Sequence, residues 1–101
     1  MVQEKYLVVG GDGFLGHHLV QLLLQRTTAD IVVLDIQQKH FQSEPRIEHK
    51  LGKIENFDEI VGAFQNITTV FHTASPGYAA KDEVLRATNI QGTENIIKSC
   101  Q

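Results

Sequence analysis

Three glycines, Gly10, Gly13 and Gly16, are spaced G-x-x-G-x-x-G and follow the apolar run Leu7-Val8-Val9. A strand that runs into such a turn and straight on into a helix leaves the first N–H groups of that helix without partners, which suits them to an anion. Glycine is the residue type this chemistry requires: one allows a tight turn, one lets phosphate oxygens approach the backbone without meeting a Cβ, and one brings helix and strand close. A glycine triplet alone is a weak signal, and a tight strand-to-helix connection with no ligand competes with it. A second feature sharpens the reading. Asp35 falls nineteen residues after Gly16, at the end of the apolar run Ile31-Val32-Val33-Leu34. A carboxylate there can accept hydrogen bonds from the hydroxyls of an adenosine ribose and repel a 2′-phosphate. Ile36 follows it rather than arginine, which favours NAD over NADP, with Lys39 near enough to keep NADP open.

Other candidate residues carry less. Asp12 lies inside the turn, where a carboxylate would repel pyrophosphate, so it is expected to point outward to solvent. Five histidines raise the question of a metal. His17 and His18, however, are neighbours on a helix and face different ways, and no Cys/Asp/Glu cluster completes a ligand set, so no metal site is expected. His72, in an apolar run, is expected to be a hydrogen-bonded core histidine with its backbone near the cofactor.

The elements that position the turn follow from periodicity. Residues 6–9 are apolar on both faces, as a central strand of a parallel sheet is. Leu15, Leu19, Leu22 and Leu23 recur at helical spacing and predict a helix over about 14–25 with those leucines inward. The second strand covers 31–34 and ends at Asp35; a polar loop over 37–45 leads to a third strand over 46–50, whose Glu48-His49-Lys50 run reads as a solvated sheet edge. Asn56, with Glu59 three residues on, has the form of a capping box, and Phe57, Ile60, Val61 and Phe64 make the apolar face of a second helix. The fourth strand covers 68–74 and closes at Ser75-Pro76-Gly77. A last helix is expected from near Asp82 to the final residue, with Leu85, Thr88, Asn89, Gly92 and Ile96 on one face. This alternation predicts an α/β fold: a Rossmann-type parallel sheet with helices on both faces, partial, in strand order 3-2-1-4.

Composition bounds the function. A chain of 101 residues makes one domain, and 42% apolar with 21% charged residues is ordinary for a globular protein. A net charge of −3 without a basic cluster argues against a nucleic-acid partner. No secretory signal is visible, and no apolar run approaches the ~20 residues of a spanning helix. The lone Cys100 cannot form an internal disulfide, so a cytoplasmic location is expected.

Four blocks in the same order, Gly10-Gly11-Asp12-Gly13-Phe14-Leu15-Gly16, Val33-Leu34-Asp35-Ile36-Gln37-Gln38, Val70-Phe71-His72-Thr73-Ala74-Ser75-Pro76 and Asn89-Ile90-Gln91-Gly92-Thr93-Glu94-Asn95-Ile96-Ile97, make the chain resemble the extended short-chain dehydrogenase/reductase family. Within it the likeness is to the 3β-hydroxysteroid dehydrogenase group, especially sterol-4α-carboxylate 3-dehydrogenases (decarboxylating). The resemblance implies an NAD-binding portion, residues 1–101, of an oxidoreductase that oxidises the 3β-hydroxyl of a sterol-like substrate. It implies that Gly10, Gly13 and Gly16 hold the pyrophosphate, that Asp35 meets the adenosine ribose, that Phe14, Leu15 and Ile36 also belong to the cofactor site, and that Ile54 packs against adenine. Ala74 and Ser75 would line the nicotinamide half, and Asn89 would help order the active site. Where relatives read Gly-Asp after the third strand, this chain reads Gly52-Lys53, a cationic donor in place of an acceptor at the adenine position. The family's Tyr-x-x-x-Lys pair is not in the sequence, since Tyr78-Ala79-Ala80-Lys81 has one residue too few. The resemblance puts that pair and the substrate site past Gln101, so the chain as written is expected to be catalytically inactive. A stand-alone nucleotide-binding module and a truncated product without its own function are the alternatives. Self-association through the exposed fourth strand is also expected, and a longer parent could associate with the endoplasmic reticulum membrane through sequence not present here.

Overall fold

The computed structural model describes residues 3–74 and 87–101. Four strands, β1 (Lys5–Val9), β2 (Asp30–Asp35), β3 (Ile47–Leu51) and β4 (Thr69–His72), form one parallel sheet in the order β3-β2-β1-β4, as the alternation of elements predicts. Val9 sits beside both Leu34 and His72, so the carboxyl ends of β1, β2 and β4 line up where the glycine turn begins.

Period-two alternation divides the strand residues between two cores. Leu7 and Val9 of β1 with Val32 and Leu34 of β2 face Ile54, Ile60, Ala63 and Ile96. Val8, Ile31 and Val33 face Val20 and Ile47 on the other side. Both faces are therefore covered, the first by α2 (Phe57–Ile60), the 3₁₀ turn Val61–Phe64 and α3 (Thr93–Ser99), the second by α1 (Phe14–Arg26). Burying one of these aliphatic side chains contributes about 1.5–3 kcal/mol. Strand β3 is an edge, and Lys50 and Glu48 pair on it at 3.6 Å.

Four details depart from the periodicity argument. The inward face of α1 runs through Gly16 and Val20 rather than Leu15 and Leu22, which stay exposed. Gly16 must touch the turn, and that contact rotates the helix about its axis so that the leucine stripe sits only half inward. Val61 is exposed because the helix tightens to 3₁₀ there, moving it off the face that Ile60 and Ala63 bury. Asn56 makes no side-chain cap to the helix; its amide meets the Glu59 carboxylate, whose other oxygen accepts the Lys53 N–H at 3.2 Å. His72 is exposed at the sheet edge rather than in the core, sharing a 3.1 Å hydrogen bond with Thr93 at the start of α3. What solvent it has lost lowers its imidazole pKa from 6.5.

A turn of π-helix, Ala87–Gly92, leads into α3. Gly92 and Ile96 are buried as expected and Asn95 is buried with them, whereas Asn89 is exposed. A Cβ on Gly92 would stand 2.5 Å from the Ile54 side chain, so only glycine lets α3 approach this closely. The expected helix start near Asp82, and the Tyr78-Ala79-Ala80-Lys81 run, lie outside the described residues. Among the described residues no helix is long and apolar enough to cross a membrane.

Candidate functional site

Of the three spaced glycines of the turn, two are fixed by the chain's own packing. Gly10 has φ +80°, and a Cβ there would stand 2.6 Å from the Ala74 backbone nitrogen; its N–H donates to Leu34 O at 2.7 Å. Gly16 meets Gly10 so closely that a Cβ would lie 2.0 Å from the Gly10 oxygen. Gly13 is under no such constraint. Its φ of −81° and ψ of −178° suit any residue, and the nearest atom to a Cβ would be 3.4 Å away, an ordinary contact. Nothing in the chain requires glycine at position 13, whereas an approaching phosphate would.

Gly13 is also the N-cap of α1 and brings no side-chain acceptor. Among the described residues no acceptor meets the N–H groups of Phe14, Leu15 and Gly16, which carry the positive end of a thirteen-residue helix. Phe14 and Leu15 are 83% and 64% exposed, and Ile36, next to Asp35, is 70% exposed. Three large apolar side chains left in solvent around one turn form a surface suited to a ligand with flat rings.

Asp35 closes the site from β2. Its Oδ2 accepts the N–H of Asp12 at 3.0 Å and its Oδ1 that of Ile36 at 2.7 Å, so its position is set from both the turn and its own strand. Asp12 does not point outward. It is 1% exposed, and its carboxylate accepts the N–H of Lys39 and of His40 at 2.7 Å each and the Nδ1–H of His40 at 2.9 Å. The outward expectation treats the turn in isolation; the loop after β2 folds back over it and supplies three donors. Burial pushes the Asp12 pKa up, but the hydrogen bonds from Lys39 and His40 and the His40 charge outweigh it, holding the carboxyl below its ordinary 3.8. The folded value is thus below the unfolded one, so on acidification the unfolded chain takes up the proton first. This contribution to stability is present above about pH 3.8 and is lost as pH falls below it. Urea titrations of wild type and Asp12→Asn are expected to differ by about 1–3 kcal/mol near neutrality, and by progressively less as the pH is taken below 3.8.

Comparison with known proteins bears on this geometry. The 3-beta hydroxysteroid dehydrogenase/isomerase family matches the chain over residues 7–101. The chain belongs to this family. Sterol-4-alpha-carboxylate 3-dehydrogenase, decarboxylating, from Homo sapiens is 38% identical over 97% of the chain, and the Mus musculus protein of that name 36%. The chain spans about a quarter of the length of these relatives, 26% of each. Among solved structures, the UDP-glucose 4-epimerase of Thermus thermophilus in complex with NAD superposes with a TM-score of 0.79 at 28% identity, covering 95% of this chain and 33% of that one. The Bordetella bronchiseptica enzyme WbmG in complex with NAD gives 0.82 at 25%, covering 96% and 33%.

Of the residues that the family resemblance singles out, Gly10, Gly13, Phe14, Leu15, Gly16, Asp35 and Ile36 converge on the turn, and Ala74 lies against Gly10. Ile54 is 5% exposed and turned into the core against Gly92, so little of its side chain is left for a ligand. Asn89 is exposed on the π turn, and Ser75 lies outside the described residues. Sequence reasoning misses Asn95, which is buried and donates from Nδ2 to Ile54 O at 2.8 Å while Gln91 Nε2 donates to its Oδ1 at 3.1 Å. It also misses His40, for which a polar loop gives no periodic signal. No group of three His, Cys, Asp or Glu side chains that could hold a metal ion occurs among the described residues.

Proposed function

We propose that residues 1–101 are the NAD-binding portion of an oxidoreductase whose full chain oxidises the 3β-hydroxyl of a sterol-like substrate. The supporting observation is Gly13, the one glycine of the turn that the chain's own packing does not require. In this reading the N–H groups of Phe14, Leu15 and Gly16 bind pyrophosphate, Asp35 takes the adenosine ribose hydroxyls, and Phe14, Leu15 and Ile36 shield the cofactor from water. Ala74 and Ser75 belong to the nicotinamide side, Ile54 backs the adenine pocket from the core, and Asn89 helps order the active site. Bound NAD supplies a hydride acceptor. The decarboxylating relatives support a substrate with a carboxylate at C4, since oxidation of the neighbouring carbinol gives a β-keto acid that loses CO2.

The same reading includes a cytoplasmic setting, no nucleic-acid partner, and a chain that binds cofactor without turning over an alcohol, because it holds no Tyr-x-x-x-Lys pair. Titration with NADH is expected to give saturable fluorescence enhancement below millimolar ligand, with NADPH weaker, and Asp35→Ala is expected to cost NADH about tenfold in affinity and to narrow the gap to NADPH. No response at millimolar NADH would overturn the binding role, for a dehydrogenase portion and a stand-alone module alike. Turnover of any alcohol by the pure chain would overturn its inactivity. Self-association through the outer edge of β4, the end strand of the sheet among the described residues, belongs to this reading too, and a monodisperse monomer by light scattering would remove it.

A further inference from the structure

Asp12 poses an electrostatic problem that the family relationship does not explain: a buried carboxylate stands inside a turn that takes a pyrophosphate. We infer that His40 is a positioning residue for the dinucleotide, supplying the counter-charge that makes this carboxylate compatible with an anionic ligand; the inference rests on the NAD-binding role proposed above. Three donors from two consecutive residues, the N–H groups of Lys39 and His40 and the His40 ring, converge on the one carboxylate. Phe41 follows at φ +59°, a left-handed conformation costly for an aromatic residue, and its carbonyl accepts from Glu44 N and His49 Nε2. The loop is therefore held in this shape from both sides.

The charged and titratable groups around the imidazole are few. Asp12 faces it from the turn, and Lys39 precedes it on its own loop. From α1 the His17 ring stacks on it, with centroids 4.5 Å apart and planes 5° from parallel, and His18 lies beyond His17 at 4.1 Å. Asp35 is linked through the Asp12 N–H. His17 donates from Nδ1 to Gly13 O at 2.9 Å. A charged His40 ring makes its pair with Asp12 neutral. Without that ring the carboxylate is opposed only by the N–H dipoles of residues 39 and 40, and affinity for a dinucleotide falls.

The test is NADH affinity, measured by fluorescence on the 101-residue chain. His40→Gln is expected to bind about fivefold more weakly than wild type. Adding Asp12→Asn to His40→Gln removes the stranded charge, so the double variant is expected to recover to within about twofold of wild type. A purely structural His40 would not be rescued by a second lesion in the same contact. The inference is overturned if His40→Gln binds as tightly as wild type, or if the double variant binds no better than the single one. Melting curves accompany each variant; should His40→Gln not fold, a double variant that binds about fivefold more weakly than wild type overturns the inference by itself. Wild type that binds no NADH overturns this inference and the cofactor role together, whereas wild-type binding with an unaltered His40→Gln defeats this inference alone.

Discussion

Gly13→Ala is expected to leave the melting temperature unchanged or slightly raised and to abolish detectable NADH binding, while Gly16→Ala is expected to destabilise the fold by about 3 kcal/mol. At position 13 the backbone is already extended, and the new methyl would make only a 3.4 Å contact with Gly10 O. The loss of unfolded-chain freedom favours alanine there by about 0.4–1 kcal/mol. The same methyl would occupy the space through which phosphate oxygens reach the first N–H groups of α1. At position 16 the opposing terms differ in size. Alanine gains about 1 kcal/mol over glycine in a helix interior. Its methyl, however, would lie 2.0 Å from Gly10 O, 2.7 Å from Gly10 C and 2.8 Å from Gly11 Cα, all backbone with no side chain free to swing aside. Relief requires moving α1 off β1, which opens the core around Val20. The pair of variants, followed by calorimetry and NADH titration, separates a ligand's requirement from the chain's. If Gly13→Ala binds NADH as wild type does, the turn is a packing device and the phosphate role fails.

The strand order, the helices on both faces and the three glycines are legible in the sequence because each rests on a local pattern: period-two aliphatic runs, strand-helix alternation, and residue types that only a backbone constraint selects. The glycine spacing does not say which glycine serves which purpose, since that depends on the distances from Gly10 to Ala74 and to Gly16. The burial of Asp12 escapes a sequence reading because its partners, Lys39 and His40, are 27 and 28 residues away in a loop with no periodicity. The rotation of α1 has the same origin. A count of leucines gives an apolar stripe, yet the closest helix-strand approach is set by the residue without a side chain, and Leu15 and Leu22 are left outside. Asn89 falls inward only if 3.6 residues per turn run through a segment that is in fact π-helical over Ala87–Gly92. In each case the local rule is sound, and a contact between distant elements outweighs it.

Arg46 shows how much stability such a contact can carry where the sequence marks only the start of a strand. Its guanidinium donates from Nε to Ala29 O at 3.1 Å, from Nη1 to Leu24 O at 2.9 Å, and from Nη2 to Thr27 O and Ala29 O at 2.8 Å each. These carbonyls belong to the last turn of α1 and the link into β2, where a helix end leaves acceptors without intrahelical donors and carries partial negative charge. One side chain from the start of β3 therefore closes the end of α1 and fixes the register of β2 against β3, with Ile31 N–H donating to Arg46 O at 2.9 Å. Arg46→Met keeps most of the aliphatic stem and removes all four hydrogen bonds. Charged donors to carbonyls contribute about 1.5–3 kcal/mol each at most, and part of each is regained from water at this half-exposed site, so a net loss of about 3 kcal/mol is expected. That is a large share of the roughly 5–15 kcal/mol a domain this size holds. Arg46→Lys is expected to recover less than half, because an ammonium cannot span three carbonyls with a planar fork. Urea denaturation measures both variants, and equal stability of Arg46→Lys and wild type would show that the charge rather than the fork holds this corner. Since Arg46 lies at the opposite ends of the strands from the glycine turn, NADH affinity of the folded Arg46→Met chain should match wild type at temperatures well below its melting point, separating what holds the sheet together from what the sheet holds out to a ligand.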